Sequence, residues 1–181
     1  VQLHSLIKEN YKGLMMVLSL YPRWLIITIS LLMVSGCGET PTELQLTQHA
    51  TTIERSDECH LCGMIIKGFP GPKGQLYKRG SEQDMKFCST RDMFAYLLDP
   101  EHKHAIQTIY VHDMAQSVWD SPDDKFFING RTAWYVAGHN RQGAMGPTLA
   151  SFLNEEVAET FAKQYGGKIY PFEDITPTLL Q

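Results

Sequence analysis

Apolar positions along the chain change their spacing several times, and each change marks an element. Residues 24–34 (WLIITISLLMV) are one unbroken apolar run, whereas the chain after Cys37 alternates short apolar stretches with polar or Gly/Pro-rich ones. The β-branched ending of 62–66 predicts a short strand, followed by a dense turn signal at Gly68-Phe69-Pro70-Gly71-Pro72-Lys73-Gly74. A second short strand is predicted at 85–88. Ser89 and Thr90 can cap a helix over 91–98, with Asp92 in its first turn and Met93, Phe94, Leu97 and Leu98 on one face. Asp99-Pro100 ends it. Residues 107–112 (QTIYVH) read as a strand, and 132–136 and 149–152 as a strand pair separated by the Gly-rich stretch 138–147. Asn154 caps a second helix, 155–165, where Val157, Phe161 and Tyr165 recur every fourth residue beside Ala158 and Ala162. Gly166-Gly167 stops that helix, and 168–172 is the last strand.

The order is β-β-α-β, twice. It predicts an α+β fold in which two β-β-α-β units pack helices on antiparallel sheet, within a domain at 54–181 divided near 54–128 and 129–181.

The apolar run at 24–34 is too short to span a bilayer, which takes about 20 helical residues. Lys8, Lys12 and Arg23 precede it, opposed by Glu9, and Val34-Ser35-Gly36-Cys37 follows it. That is the layout of a lipoprotein signal peptide over 1–36, with Cys37 taking the lipid and becoming the mature N-terminus. An anchor helix would need further apolar residues, which Gly38-Glu39-Thr40-Pro41 do not supply. Residues 37–53 lack Lys and Arg and show no periodicity, so they are expected to be a flexible tether. The expected location is periplasm-facing on the outer membrane of a Gram-negative cell, since Gly38 after the lipidated Cys is no inner-membrane retention signal of the Asp type. The chain has 16 Lys+Arg and 20 Asp+Glu; without the signal's three basic and one acidic residues the balance is 13 to 19, a formal charge of -6. Nucleic acid is excluded as a partner on that ground, as is electrostatic adhesion to anionic lipid.

Three cysteines remain beyond Cys37, an odd number for a compartment in which thiols pair. The centre of interest is Cys59-His60-Leu61-Cys62-Gly63-Met64. On a strand, Cys62 and Met64 would project from one face and set a thiolate beside a thioether, a soft site suited to Cu(I). Met145, in Gly143-Ala144-Met145-Gly146-Pro147, lies in a loop too rich in Gly and Pro for a core methionine and is a third candidate ligand. Cys59, Cys88, His112 and Met114 are further candidates, the last two sharing a parity at a strand end. Several readings stay open at this point: a structural Cys59–Cys62 disulfide, a zinc domain using Cys59, Cys62, Cys88 and His112, and a C-x-x-C thiol-disulfide oxidoreductase. The last lacks the helix that should begin at its second Cys. No phosphate loop, G-x-S-x-G elbow or H-E-x-x-H pair is present, so an enzyme is not expected.

The chain resembles the NosL family, copper-binding accessory lipoproteins of nitrous oxide reductase maturation. The resemblance is carried by Cys59 to Met64, by Lys86-Phe87-Cys88-Ser89-Thr90-Arg91-Asp92, by Tyr110-Val111-His112-Asp113 and Trp119, by 132–136, by Gly143 to Pro147, and by Tyr165-Gly166-Gly167. It implies a monomer that binds one Cu(I) and delivers it, through an ABC-type membrane complex or directly, to the copper sulfide centre of the reductase. It also implies a pair of β-β-α-β units resembling the organomercurial lyase fold. Residue by residue, Cys62, Met64 and Met145 match the family's soft positions. The chain departs from the pattern in Ala144, where relatives often have Pro, and in the extra thiols Cys59 and Cys88, which leave the coordination set open.

Overall fold

The computed structural model describes residues 48–181. The expected signal peptide 1–36, the lipidation site Cys37 and most of the tether lie outside the described residues.

The first sheet comprises β1 (Gly74–Lys78), β2 (Asp84–Phe87), β3 (Ile106–His112) and β4 (Phe127–Asn129), with helix α1 (Thr90–Leu97) between β2 and β3. Its order is β2-β1-β3-β4, antiparallel throughout. Alternation decides its two faces. Gly74 and Leu76 of β1 lie opposite Phe87 and Met85 of β2 and Val111 and Ile109 of β3. That face packs on Met93, Phe94 and Leu97 of α1 to form the main core. Gln75 and Tyr77 point the other way, yet both are buried. Residues 48–53, expected as the end of the tether, cover them. Thr51 and the Gln75 amide exchange two hydrogen bonds, 2.9 and 2.6 Å. The Tyr110 hydroxyl donates to Gln48 O at 2.8 Å, and the Tyr77 hydroxyl to His49 O. A polar side chain can sit fully buried here because its amide completes hydrogen bonds as a backbone would.

The second sheet is built from β5 (Trp134–Ala137), β8 (Ala150–Phe152) and β9 (Lys168–Pro171), in the order β8-β5-β9. Between β5 and β8 a two-stranded hairpin, β6 (Gln142–Gly143) and β7 (Gly146–Pro147), carries Ala144 and Met145 at its turn. Helix α2 (Glu155–Tyr165) joins β8 to β9. On β5, Tyr135 and Ala137 face the main core, while Val136 faces α2 in a second cluster with Ala150, Phe152 and Ala158. The Tyr135 ring stands edge-on to Phe94 of α1 at 4.9 Å and links the two halves.

Both helices start where the caps predict. The Ser89 hydroxyl accepts from Asp92 N at 3.0 Å, and the Asn154 amide oxygen accepts from Glu156 N at 3.2 Å. Gly166, at φ +81°, closes α2. The apolar stripe of α2 differs from expectation: Ala158 is its buried residue, with Phe161 and Ala162 partly buried, while Val157 is exposed. Among the described residues no helix is long and apolar enough to cross a membrane.

The α+β class with antiparallel sheet and two helices therefore holds, but the strands differ at four places. There is no strand at 62–66; β1, the middle strand of the first sheet, lies at Gly74–Lys78, starting at the last residue of the 68–74 loop signal, where no strand was expected; β4 adds an edge; and the β6–β7 hairpin forms within the Gly-rich stretch 138–147.

Candidate metal centre

A small hairpin over 57–66 stands where the strand was expected. Cys59 N donates to Met64 O at 2.8 Å and Ile66 N to Asp57 O at 2.9 Å, and Gly63 N turns back to Cys59 O at 2.8 Å. Gly63 adopts φ +72°, a left-handed conformation that interrupts an extended run and that other residues enter only at a cost. Cys62 and Met64 thus sit on the tip and return arm of a turn, and the common strand face expected for them does not exist. The hairpin is tied to β2: His60 N donates to Lys86 O at 2.8 Å, and Lys86 Nζ reaches Asp57 Oδ2 at 2.6 Å.

This attachment lays Cys59 and Cys62 over the junction where β2 ends and α1 begins, at Cys88. One donor atom from each of Cys59, Cys62, Cys88 and Asp92 lies within 4.8 Å of the others. Cys62 Sγ and Cys88 Sγ are 3.7 Å apart, the Cys88 thiol donates to Asp92 Oδ2 at 3.2 Å, and Cys59 Sγ is 3.8 Å from the same oxygen. Two sulfurs bound to one ion at about 2.3 Å and a tetrahedral angle would be about 3.8 Å apart, so the spacing fits a metal. All three thiols are free; Cys59 and Cys88 are buried and Cys62 is exposed.

The electrostatics single out one sulfur. The Cys88 thiol beside it, helped by the backbone N–H groups of Cys88 and Cys62, brings Cys59 down to about 5 despite burial. Cys88 moves the other way, pushed up by Cys59 first and then by burial and Asp92. Cys62 is also raised, by desolvation first. The shifts run in opposite directions, down at Cys59 and up at Cys62 and Cys88, so Cys59 is the sulfur this arrangement favours for ionisation.

The remaining candidates fall in different surroundings. Met64, 38 % exposed, lies on the return arm of the hairpin between exposed Leu61 and Ile65. Met145, 49 % exposed, sits at the β6–β7 turn, whose Met145 O accepts from Arg91 Nη1 at 3.4 Å. Arg91 adjoins Asp92 on α1, so the turn is fastened to the helix that carries part of the cluster. His112 has both ring nitrogens engaged, Nδ1 accepting from Lys73 N at 3.1 Å and Nε2 meeting Asp124 Oδ1 at 3.2 Å, and its ring stacks on Phe127. Met114 is packed in the second core beside Trp119 and Phe152. Neither residue belongs to the group of four.

Two participants escaped the sequence reading. The sequence marks Asp92 as a first-turn acid; its place four residues after Cys88, across the start of the helix, is the signal that the two side chains can meet. Lys73, buried within electrostatic reach of Cys88, donates from Nζ to Phe69 O, Pro70 O and Gly71 O at 2.8, 3.1 and 2.6 Å and so braces the Gly/Pro loop. Burial lowers it to about 8.

Fold and cluster together define a small α+β domain that presents soft metal donors at its surface. A profile of the family described as NosL matches residues 50–180, and the chain belongs to that family. The copper-binding lipoprotein NosL of Stutzerimonas stutzeri is 47 % identical over 148 residues, 81 % of this chain and 76 % of the relative. The copper-binding lipoprotein NosL of Achromobacter cycloclastes is 33 % identical over 161 residues, 87 % and 82 % of the two chains. The crystal structure of the copper chaperone NosL from Shewanella denitrificans superposes with a TM-score of 0.71 at 53 % identity, covering 72 % of this chain and 98 % of that one.

Proposed function

We propose that this chain is a lipid-anchored metallochaperone that binds one Cu(I) and delivers it to the copper sulfide centre of nitrous oxide reductase. The observation that carries the reading is the cluster of three unpaired thiols in which two sulfurs are buried and the third, Cys62, reaches the surface. A cargo site needs that geometry. Buried sulfur holds the ion, and an exposed sulfur lets an acceptor's ligand replace one bond at a time. Cys62, Met64 and Met145 are the ligands at the exposed side, Cys59 and Cys88 the buried thiols, and thioethers suit exchange because they are neutral, weaker donors than thiolates. The relatives named copper-binding lipoprotein or copper chaperone support the cargo. Lipidation at Cys37 would hold the domain on the periplasmic side of the outer membrane as a monomer, within reach of the reductase and its ABC-type maturation complex.

The test is anaerobic titration of the reduced chain with Cu(I) against a chromophoric chelator, joined to X-ray absorption. One equivalent bound with sulfur in the first shell supports the reading; a first shell of nitrogen and oxygen alone would sink it. One observation favours a second reading, a zinc site: the carboxylate of Asp92 completes a four-donor set with the three thiols. Tight Zn(II) binding that Cu(I) fails to displace would select it.

A further inference from the structure

We infer that Cys62 and Cys88 form a redox modification site, joined as a reversible disulfide by exchange with an extracytoplasmic protein disulfide. Joining them closes the metal cluster. The inference rests on the reading above, that the cluster takes Cu(I) outside the cytoplasm, and adds a partner of a different class.

The geometry separates an entry sulfur from a resolving one. Cys62 is exposed at the tip of the 57–66 hairpin, open to a second macromolecule, whereas Cys88 is wholly buried beneath it. Their sulfurs are 3.7 Å apart. A disulfide needs about 2.05 Å, so the two sulfurs must approach by about 1.6 Å, a shift within the reach of an exposed side chain on a turn. The third thiol, Cys59, is buried at 2 % exposure on the ascending arm, held there by the Cys59 N to Met64 O bond, and is shielded from direct attack. Asp92 stands beside the resolving sulfur, its Oδ2 accepting a hydrogen bond from the Cys88 thiol at 3.2 Å.

The Cys62 sulfur attacks the partner's disulfide, forming a mixed disulfide and releasing one partner sulfur as thiolate. The Cys88 sulfur, its proton received by Asp92, then attacks Cys62 Sγ and expels the second partner sulfur. Two protons pass by way of Asp92 and solvent to the partner, which leaves as a dithiol. Two electrons have moved from this chain to the partner. The product turns Cys62 inward and withdraws two of three sulfurs from coordination, so a copper-free protein that meets an oxidising partner is stored closed, and a dithiol reopens it.

The test uses the full chain in detergent, metal-free and reduced, with oxidised glutathione as the probe, followed by acid quench, alkylation and peptide mapping. Trypsin separates the Cys88 peptide, 87–91, from the peptide 56–67 that holds Cys59 and Cys62, and fragmentation assigns the bond. The expected product is a Cys62–Cys88 link with Cys59 alkylated and no glutathione retained, reversed by dithiothreitol and prevented by prior loading with Cu(I). A Cys59–Cys62 or Cys59–Cys88 link, glutathione persisting on Cys62, or absence of oxidation overturns the inference. In Cys62→Ser, a change at an exposed position, Cys88 should resist glutathione; in Cys88→Ala, glutathione should remain on Cys62. Because Cys88 is buried, the first variant decides if the second does not fold. The link is mapped on copper-free protein and only the protection arm uses Cu(I), so failure of the mapping leaves the Cu(I) titration of the reduced chain intact, and failure of that titration removes the protection arm but leaves the mapped link standing.

Discussion

In the first sheet β1 lies between β2 and β3, and in the second β5 lies between β8 and β9; in each a helix carries the chain from the second strand to the third. The caps make the two units comparable residue by residue. Immediately before its cap, the first helix has Cys88, fully buried, and the second has Leu153, 55 % exposed. Three residues after the cap stand Asp92 in the first and Val157, 37 % exposed, in the second. The same corner is thus a donor cluster in one half and bare apolar surface in the other. What differs is the cover: the 57–66 hairpin, pinned to β2 through Lys86, lies over the first corner. Topology supplies a place, and the hairpin turns it into a site by adding two thiols and excluding water.

The strongest way to break this comparison is to move donors without the cover. Leu153→Cys with Val157→Asp reproduces the first corner's side chains in the second, and is expected to gain no Cu(I) binding in a chelator competition. Measurable new binding there would show that the corner suffices by itself. Removing the hairpin's exposed thiol, Cys62→Ser, should cost on the order of a hundredfold in Cu(I) affinity, about 2.7 kcal/mol. Met64→Leu and Met145→Leu, close in volume, should weaken binding about tenfold with the fold intact by circular dichroism.

A second difference lies in how each helix approaches its sheet. In the first unit the strand gives way: a Cβ at Gly74 would collide with Met93 Sδ and come within 2.9 Å of Met93 Cβ. In the second the helix gives way, through fully buried Ala158. Gly74→Ala and Ala158→Leu should each destabilise by about 1–3 kcal/mol in urea unfolding. A silent Gly74→Ala would mean that the α1 contact yields and that the cluster's frame is softer than its burial implies.

These contacts also explain what could be read in advance. The second helix was legible to the residue because Asn154 and Gly166 punctuate it and nothing else competes. β1 was invisible because Gly74, Gln75 and Lys78 carry no hydrophobic alternation; Gln75 is buried by bonds to Thr51, a partner that pattern reasoning placed in a tether. The 62–66 segment misled for the opposite reason, since Ile65 and Ile66 look like a strand while Gly63 forces the turn. At the site the thiols and thioethers stand out by type, whereas Asp92 does not, because a carboxylate in the first turn of a helix already has an ordinary role and only its spacing of four from Cys88 sets it apart.

Two buried histidines extend the contrast to pH. His112 in the first sheet has partners at both ring nitrogens, whereas His139, after β5, accepts from Arg141 N at 3.2 Å through Nδ1 and has no hydrogen-bond partner at Nε2 among the described residues, its ring standing edge-on to Trp119 and Phe161. Burial, with Arg141 nearby, lowers His139 to about 4 from an ordinary 6.5. Between those values the unfolded chain binds a proton that the folded chain refuses, so stability falls as pH drops from 6.5 toward 4 and is fully present above 6.5. Burial shifts His112 in the same direction. His139→Phe, matched to its aromatic surroundings, should therefore reduce the acid slope of the urea midpoint by at most one proton; an unchanged slope would place the acid sensitivity in the first half.

The smallest effects are expected at the caps, where the units are most alike. Asn154 caps at the surface, so in Asn154→Ala water can reach the released Glu156 N–H, and the cost should be about 0.5–1 kcal/mol. Ser89 is 2 % exposed, and in Ser89→Ala the Asp92 N–H would be left buried without an acceptor. The cost there should reach about 1–2 kcal/mol. Ser89→Ala carries a second readout that Asn154→Ala lacks. Asp92 N is fixed by Ser89 Oγ, and Asp92 Oδ2 receives the Cys88 thiol, so loosening the cap frees the carboxylate that orients a buried sulfur. A loss of Cu(I) affinity in Ser89→Ala but not in Asn154→Ala would tie the cap to the cluster. Equal stability losses with no change in copper binding would separate helix capping from the site and confine the metal to sulfur alone.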